Sequence, residues 1–395
     1  MEAKLAARIA KLATVTDEPG RITRTLLSPA MAEAARLVYG WMTDAGLEAR
    51  IDALGSVIGH LPGATPEAGT LLLGSHLDTV RNGGGYDGPA GIVTALAALE
   101  DLRERGVILP FDVDVLAFAD EEGVRFGTPY LGSKAVTGQL EPEDLLLRDR
   151  DGITLAQASD LAEPPVSLYV AKRLLGYVEA HIEQGPVLER REAPLGVVTH
   201  IAAQVRLEAV FTGVAGHAGT TPMAGRQDAL CAAAAFILAV EDLGRHTEGL
   251  VATVGRVHVS PNAGNVIPGE VVLSVDLRHA ETWAVTHARE LLEERAAHSA
   301  QERGVTARVR TLLVQEEVDC DAALLSKLAK AAHEPPRLVS GAGHDGVILS
   351  RIAPVGMLFI RCRDGLSHHP DEYAAPDDLA AAARALARFL EDFAK

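Results

Sequence analysis

The sequence predicts an α/β fold in which two separated stretches of chain build one mostly parallel sheet, with a smaller domain inserted between them. Three observations carry this expectation. Strand-like apolar runs alternate with helical patterns over the first half, the texture changes near residue 206 to a β-α-β-β-α-β order, and the α/β alternation resumes after Cys320. Alternation of this kind implies βαβ units and parallel pairing. At 395 residues the chain also exceeds the size at which a single core stops growing, so two domains are expected.

In chain order, residues 1–15 carry Glu2, Lys4, Arg8 and Lys11 among alanines and leucines, which reads as an amphipathic surface helix rather than the unbroken apolar core of a signal peptide. Residues 70–75 read as a strand, 90–105 as a helix and 111–119 as the next strand, with a further strand at 175–179. Functional residues of such sheets collect just beyond the carboxyl ends of the strands. His76, residues 120–122 and His181 all fall there. The insertion reads as a strand at 206–214, an alanine-rich helix at 227–243, strands at 250–259 and 271–278, a charged helix at 281–303 and a strand at 305–314. That order is the split βαβ, or ferredoxin-like, arrangement. Residues 1–205 and 321–395 are therefore assigned to one domain and 206–320 to the other. The first resumes with a helix at 322–332, strands at 337–340 and 355–361, and a last helix at 377–393.

Composition narrows the function. A formal charge of −17, from 37 basic against 54 acidic residues, opposes binding to a phosphate backbone, so nucleic acid is not an expected partner. No run reaches the ~20 apolar residues of a membrane span. Cys231, Cys320 and Cys362 are odd in number and far apart, and read as buried reduced thiols, which with the missing leader suggests a cytoplasmic enzyme.

Five short segments hold the chemistry: Gly74-Ser75-His76-Leu77-Asp78, Tyr86-Asp87-Gly88, Asp120-Glu121-Glu122-Gly123, Glu179-Ala180-His181-Ile182-Glu183 and Ser367-His368-His369-Pro370. Each has an ordinary structural reading. Asp78 can cap a turn, the glycines before Asp87 can form the turn into a helix at Pro89, His181 can be a hydrogen-bonded core residue, and His368 and His369 can be loop histidines. The pair Glu121-Glu122 is harder to place, because adjacent carboxylates at the end of an apolar strand repel unless a positive charge lies between them. Taken jointly, the segments supply the imidazoles and carboxylates that hold Zn or Mn, and a carboxylate can bridge two ions.

These segments resemble the M20 metallopeptidase clan, and within it the hydantoinase/carbamoylase branch of allantoate amidohydrolases, N-carbamoyl-L-amino acid hydrolases and β-ureidopropionases. The branch-specific forms are Tyr86-Asp87-Gly88-Pro89-Ala90-Gly91, Asp120-Glu121-Glu122-Gly123-Val124-Arg125-Phe126, His181-Ile182-Glu183-Gln184-Gly185-Pro186 and Gly216-His217-Ala218-Gly219-Thr220-Thr221-Pro222-Met223. The resemblance implies two divalent ions: His76, Asp87 and His181 would hold one, and Asp87, Glu122 and His368 the other. It makes Glu121 the general base and Asp78 the partner that orients His76. It implies that the inserted domain is a lid that also forms a homodimer contact, with Gln204, His217, Asn265 and Arg278 as its substrate groups. Arg278 has a competing reading as a structural salt bridge with Asp276. His344, in Gly341-Ala342-Gly343-His344-Asp345, has no clear role, and Gly55-Ser56 stands where the branch usually has Gly-Asn.

The function so implied is hydrolysis of the ureido C–N bond of a small carboxylate, either allantoate or an N-carbamoyl amino acid. A dipeptidase or aminoacylase of the same clan is the nearest alternative. A catalytically silent binding protein is the alternative of another class, and Glu121 beside a full ligand set argues against it.

Overall fold

The computed structural model describes residues 1–170 and 172–394. Their larger unit, residues 1–199 and 319–395, is organised by a nine-stranded sheet. Asp112–Phe118, Thr70–His76, Leu174–Ile182 and Val355–Ile360 lie side by side at its centre and pair in parallel. Val57–Leu61 adds to Asp112–Phe118 and Leu195–Ile201 to Val355–Ile360, both antiparallel. The central strands are buried on both faces, as uninterrupted apolar runs such as Leu71, Leu72 and Leu73 require.

The helix Pro89–Glu104 is apolar on every side and buried from Pro89 to Leu99, as expected for a helix inside a core. Pro89 opens it, where a missing N–H costs nothing. On it packs the N-terminal helix Glu2–Ala13, whose Arg8 donates to Glu100 at 2.7 Å and lies over Trp41. The last helix, Pro376–Phe393, is tied to the strand Val355–Ile360 by a bidentate pair from Arg361 to Asp378, at 2.9 and 3.0 Å.

The second unit spans residues 200–318. Its antiparallel sheet has the order Thr306–Gln315, Ala203–Thr212, Glu270–His279, Val251–Ser260, and the helices Ala229–His246 and Thr282–Glu302 complete a core around Phe211, Phe236, Leu273 and Leu292. The first boundary falls six residues before the expected 206, because Ala203 and Gln204 already pair with His279 and Arg278. A short ladder joins Gly216–His217 to Val266–Ile267.

The expectation for the cysteines is corrected at one position. Cys320 and Cys362 are buried, but Cys231 is exposed, since it points away from the face of its helix that buries Ala229, Ala232 and Ala233. Among the described residues no helix is long and apolar enough to cross a membrane.

Candidate metal centre

The four central strands each deliver site residues at their carboxyl ends. His76 ends Thr70–His76, Glu121 and Glu122 follow Asp112–Phe118, His181 sits at the end of Leu174–Ile182, and His368 lies in the loop after Val355–Ile360. Asp87 comes from the turn that enters Pro89–Glu104. Gly88 at φ 80 makes this turn possible, and a Cβ there would lie 2.6 Å from His76 Nδ1. Asp120 and His368 themselves adopt positive φ, 64° and 56°, a conformation that non-glycine residues keep only where the surroundings impose it.

The candidate ligands meet at Asp87. Its Oδ1 lies 3.0 Å from His181 Nε2 and 3.4 Å from His76 Nε2, and its Oδ2 lies 3.1 Å from His368 Nε2. His368 Nε2 is also 3.2 Å from Glu122 Oε1. His369 instead turns to Asp371, whose backbone N–H it accepts at 3.1 Å. The His76 and His181 Nδ1 atoms face the carbonyls of Asp78 and Ile182 at 3.1 and 2.9 Å. With Nδ1–H donated there, both Nε2 lone pairs point inward, 3.4 Å apart. Two facing lone pairs beside a carboxylate call for a cation, so the donor set fits a metal. His76, Asp87 and His181 bring three ligand atoms within 4.8 Å of one another, and so do Asp87, Glu122 and His368.

The titration of these side chains follows from this crowding. Burial opposes a charge on His76, but Asp78, Asp87 and Glu121 outweigh it and hold the ring well above its ordinary range. Half-exposed His368 is raised to about 11 by Asp87 and Glu122, against the pull of burial. Asp87, although buried, is held well below the usual carboxylate range by the three imidazoles. Burial lifts Glu121 well above it; His76 opposes the rise, while Glu122, Asp345 and Asp78 add to it.

Asp78 touches three members of the site. Its carboxylate lies 3.5 Å from His76 Nδ1 and accepts the backbone N–H groups of Glu121 at 3.0 Å and Glu122 at 3.2 Å. Other supporting residues are not apparent from the sequence. Gln184 and Ser367 both donate to Asp87 Oδ2, at 3.0 and 3.1 Å, and Glu372 accepts the N–H groups of Tyr86 and Asp87. His344 packs edge-on against His181 at 4.5 Å and bonds Ser340 Oγ at 2.8 Å. For Gln184 and Ser367 the available signal is their place within the histidine motifs; Glu372 has none.

The four residues read as substrate groups fall into two places within the second unit. Gln204 and Arg278 are register partners, and both bond Asp276: Gln204 Nε2 donates at 2.6 Å and Arg278 Nε at 2.8 Å. His217 pairs with Val266 in the short ladder, and Asn265 lies at its end, where its carbonyl accepts from Ala218 N–H at 3.0 Å. His217 Nδ1 accepts from Gly219 and Thr220, each at 3.1 Å, which places the proton of the neutral ring on Nε2.

A histidine and carboxylate cluster at the carboxyl ends of parallel strands, with a buried glutamate beside it, defines a metal-dependent hydrolase centre. The profile of peptidase family M20/M25/M40 matches residues 72–392. The chain is 40% identical to allantoate deiminase 2 of Glycine max, over 98% of this chain and 88% of that protein. It is also 40% identical to the N-carbamoyl-L-amino acid amidohydrolase of Geobacillus stearothermophilus, over 97% and 96%. A solved amidase of the hydantoinase/carbamoylase family from Burkholderia vietnamiensis superposes with a TM-score of 0.90 at 32% identity, covering 100% of this chain and 97% of that one. The chain belongs to the M20 peptidase family, in its hydantoinase/carbamoylase branch. It is an enzyme, a metal-dependent hydrolase of C–N bonds.

Proposed function

We propose that this enzyme uses two divalent ions, Zn or Mn, to cleave the ureido C–N bond of a small carboxylate, allantoate or an N-carbamoyl amino acid, releasing ammonia and carbon dioxide. The observation that carries the two-ion reading is Asp87, whose two oxygens face separate ligand groups. His76 and His181 would hold one ion with Asp87, and Glu122 and His368 the other. When bound, the ions would polarise the ureido carbonyl and make a water more acidic.

The remaining steps belong to side chains. Glu121 takes the proton of the attacking water, a role suited to a carboxylate whose surroundings raise its affinity for a proton, and passes it to the departing nitrogen. Asp78 fixes the His76 ring and the Glu121 backbone. The 200–318 unit is assigned the lid and homodimer role. In it His217 offers an Nε2–H to the developing oxyanion, and Gln204, Asn265 and Arg278 hold the substrate carboxylate. A guanidinium suits that task because its fork donates two parallel hydrogen bonds, and Asp276 holds the Arg278 fork in place.

Ammonia release over a panel of allantoate, N-carbamoyl amino acids, N-acetyl amino acids and dipeptides tests the assignment. Turnover confined to the ureido compounds supports it. Preference for dipeptides or N-acetyl compounds would make the chain a peptidase or aminoacylase of the same family.

A further inference from the structure

Arg24 is fully buried and lies outside every motif described above. Its Nε donates to the Leu77 carbonyl at 3.1 Å, and one terminal nitrogen donates to the carbonyls of Leu12 at 2.9 Å and Val15 at 3.2 Å. Backbone contacts run beside these: Arg24 N–H donates to Thr79 Oγ1 and Thr79 N–H to the Arg24 carbonyl, both at 2.9 Å. The turn 76–79 is thus held from both sides, since Leu77 N–H donates to the Phe118 carbonyl at 2.8 Å.

A buried guanidinium is costly unless its surroundings need it. Burial lowers Arg24 to about 10, with the fields of Asp78 and Asp17 opposing the drop, so it remains a cation at neutral pH. Its nearest consequence is geometric. Leu77 lies between a metal-ligating imidazole and the carboxylate that holds the Glu121 and Glu122 backbone. A small rotation of that peptide would displace the His76 ring and the Asp78 carboxylate together.

We propose that Arg24 is a positioning residue of the active site: by anchoring the Leu77 carbonyl it sets the His76–Asp78 turn, and through Asp78 the placement of Glu121 and Glu122. A residue that merely closes the end of the first helix would change stability and leave the metal centre alone. Partners of this kind commonly carry 10–100-fold effects on metal affinity or activity.

The test is zinc titration of the metal-free protein by calorimetry, on wild type, Arg24→Met, Arg24→Lys and Asp78→Asn, with circular dichroism to establish folding. Zinc binding should weaken by about 10–100-fold in Arg24→Met and by less in Arg24→Lys, which restores the charge but not the fork. In the loaded variants kcat should fall with KM little changed. The losses in an Arg24→Lys, Asp78→Asn double variant should be smaller than the product of the single losses, because both act on one turn. Wild-type zinc affinity in both folded Arg24 variants, multiplicative losses in the double variant, or failure of Arg24→Lys to fold would each overturn the proposal. The titration uses no substrate, so its outcome does not depend on the ureido assignment.

Discussion

At the scale of single residues, Asp87 and Glu121 divide the work by what surrounds them. Three imidazoles keep Asp87 ionised, while burial and three neighbouring carboxylates favour the protonated Glu121. Glu121→Gln should therefore cut turnover by about 10²–10⁴ and leave metal content near wild type, because an amide takes no proton and lies outside the proposed ligand set. Elemental analysis beside an activity assay checks this; loss of metal with activity would exchange the roles of Glu121 and Glu122. The histidines give a second prediction. His76, His181 and His368 are all raised in the metal-free protein, His368 to about 11, so their protonated forms compete with a metal. The competing protonated state fades only as pH climbs toward those raised values. Apparent zinc affinity should then increase from about pH 6 to about pH 8, and calorimetry in buffers of different ionisation enthalpy should show protons released on binding. Affinity that does not change with pH would contradict the protonated imidazoles.

At the scale of elements, the carboxyl ends of the parallel strands bring distant segments together, and the turn at Gly88 inserts Asp87 among them. Gly88→Ala should weaken zinc binding by roughly ten-fold or more while the helix Pro89–Glu104 persists, because the added methyl meets His76 and φ 80 disfavours it. Zinc titration with circular dichroism reads both, and wild-type affinity would show that the turn tolerates a side chain. Much of this arrangement is legible in the sequence, since apolar runs mark the central strands and metal chemistry restricts ligands to a few residue types. The short antiparallel strand Glu48–Ile51 is not, since four residues without a flanking motif carry little pattern. Glu372 is hidden as well, and Gln184 and Ser367 are marked only by their place in the histidine motifs, because all three act here through tertiary hydrogen bonds. Arg278 shows the limit from the other side. Its strand position suggests a carboxylate clamp, and only coordinates show that Asp276 already orients the fork.

At the scale of the whole molecule, the proposed chemistry needs two units of different character: one carrying every proposed metal ligand, the other carrying Gln204, His217, Asn265 and Arg278. If His217 serves the site of a second copy, a mixture of inactive His217→Ala and inactive Glu121→Gln subunits should regain part of the wild-type activity after subunit exchange. A monomer in solution, or no recovery after verified exchange, would confine His217 to its own chain. The central claim is that Asp87 joins two metal ions. Anomalous-difference maps from crystals grown with zinc test it most directly. Two peaks sharing Asp87 are expected, one among His76 and His181 and the other among Glu122 and His368. A single peak, or two peaks that do not share Asp87, would contradict the claim.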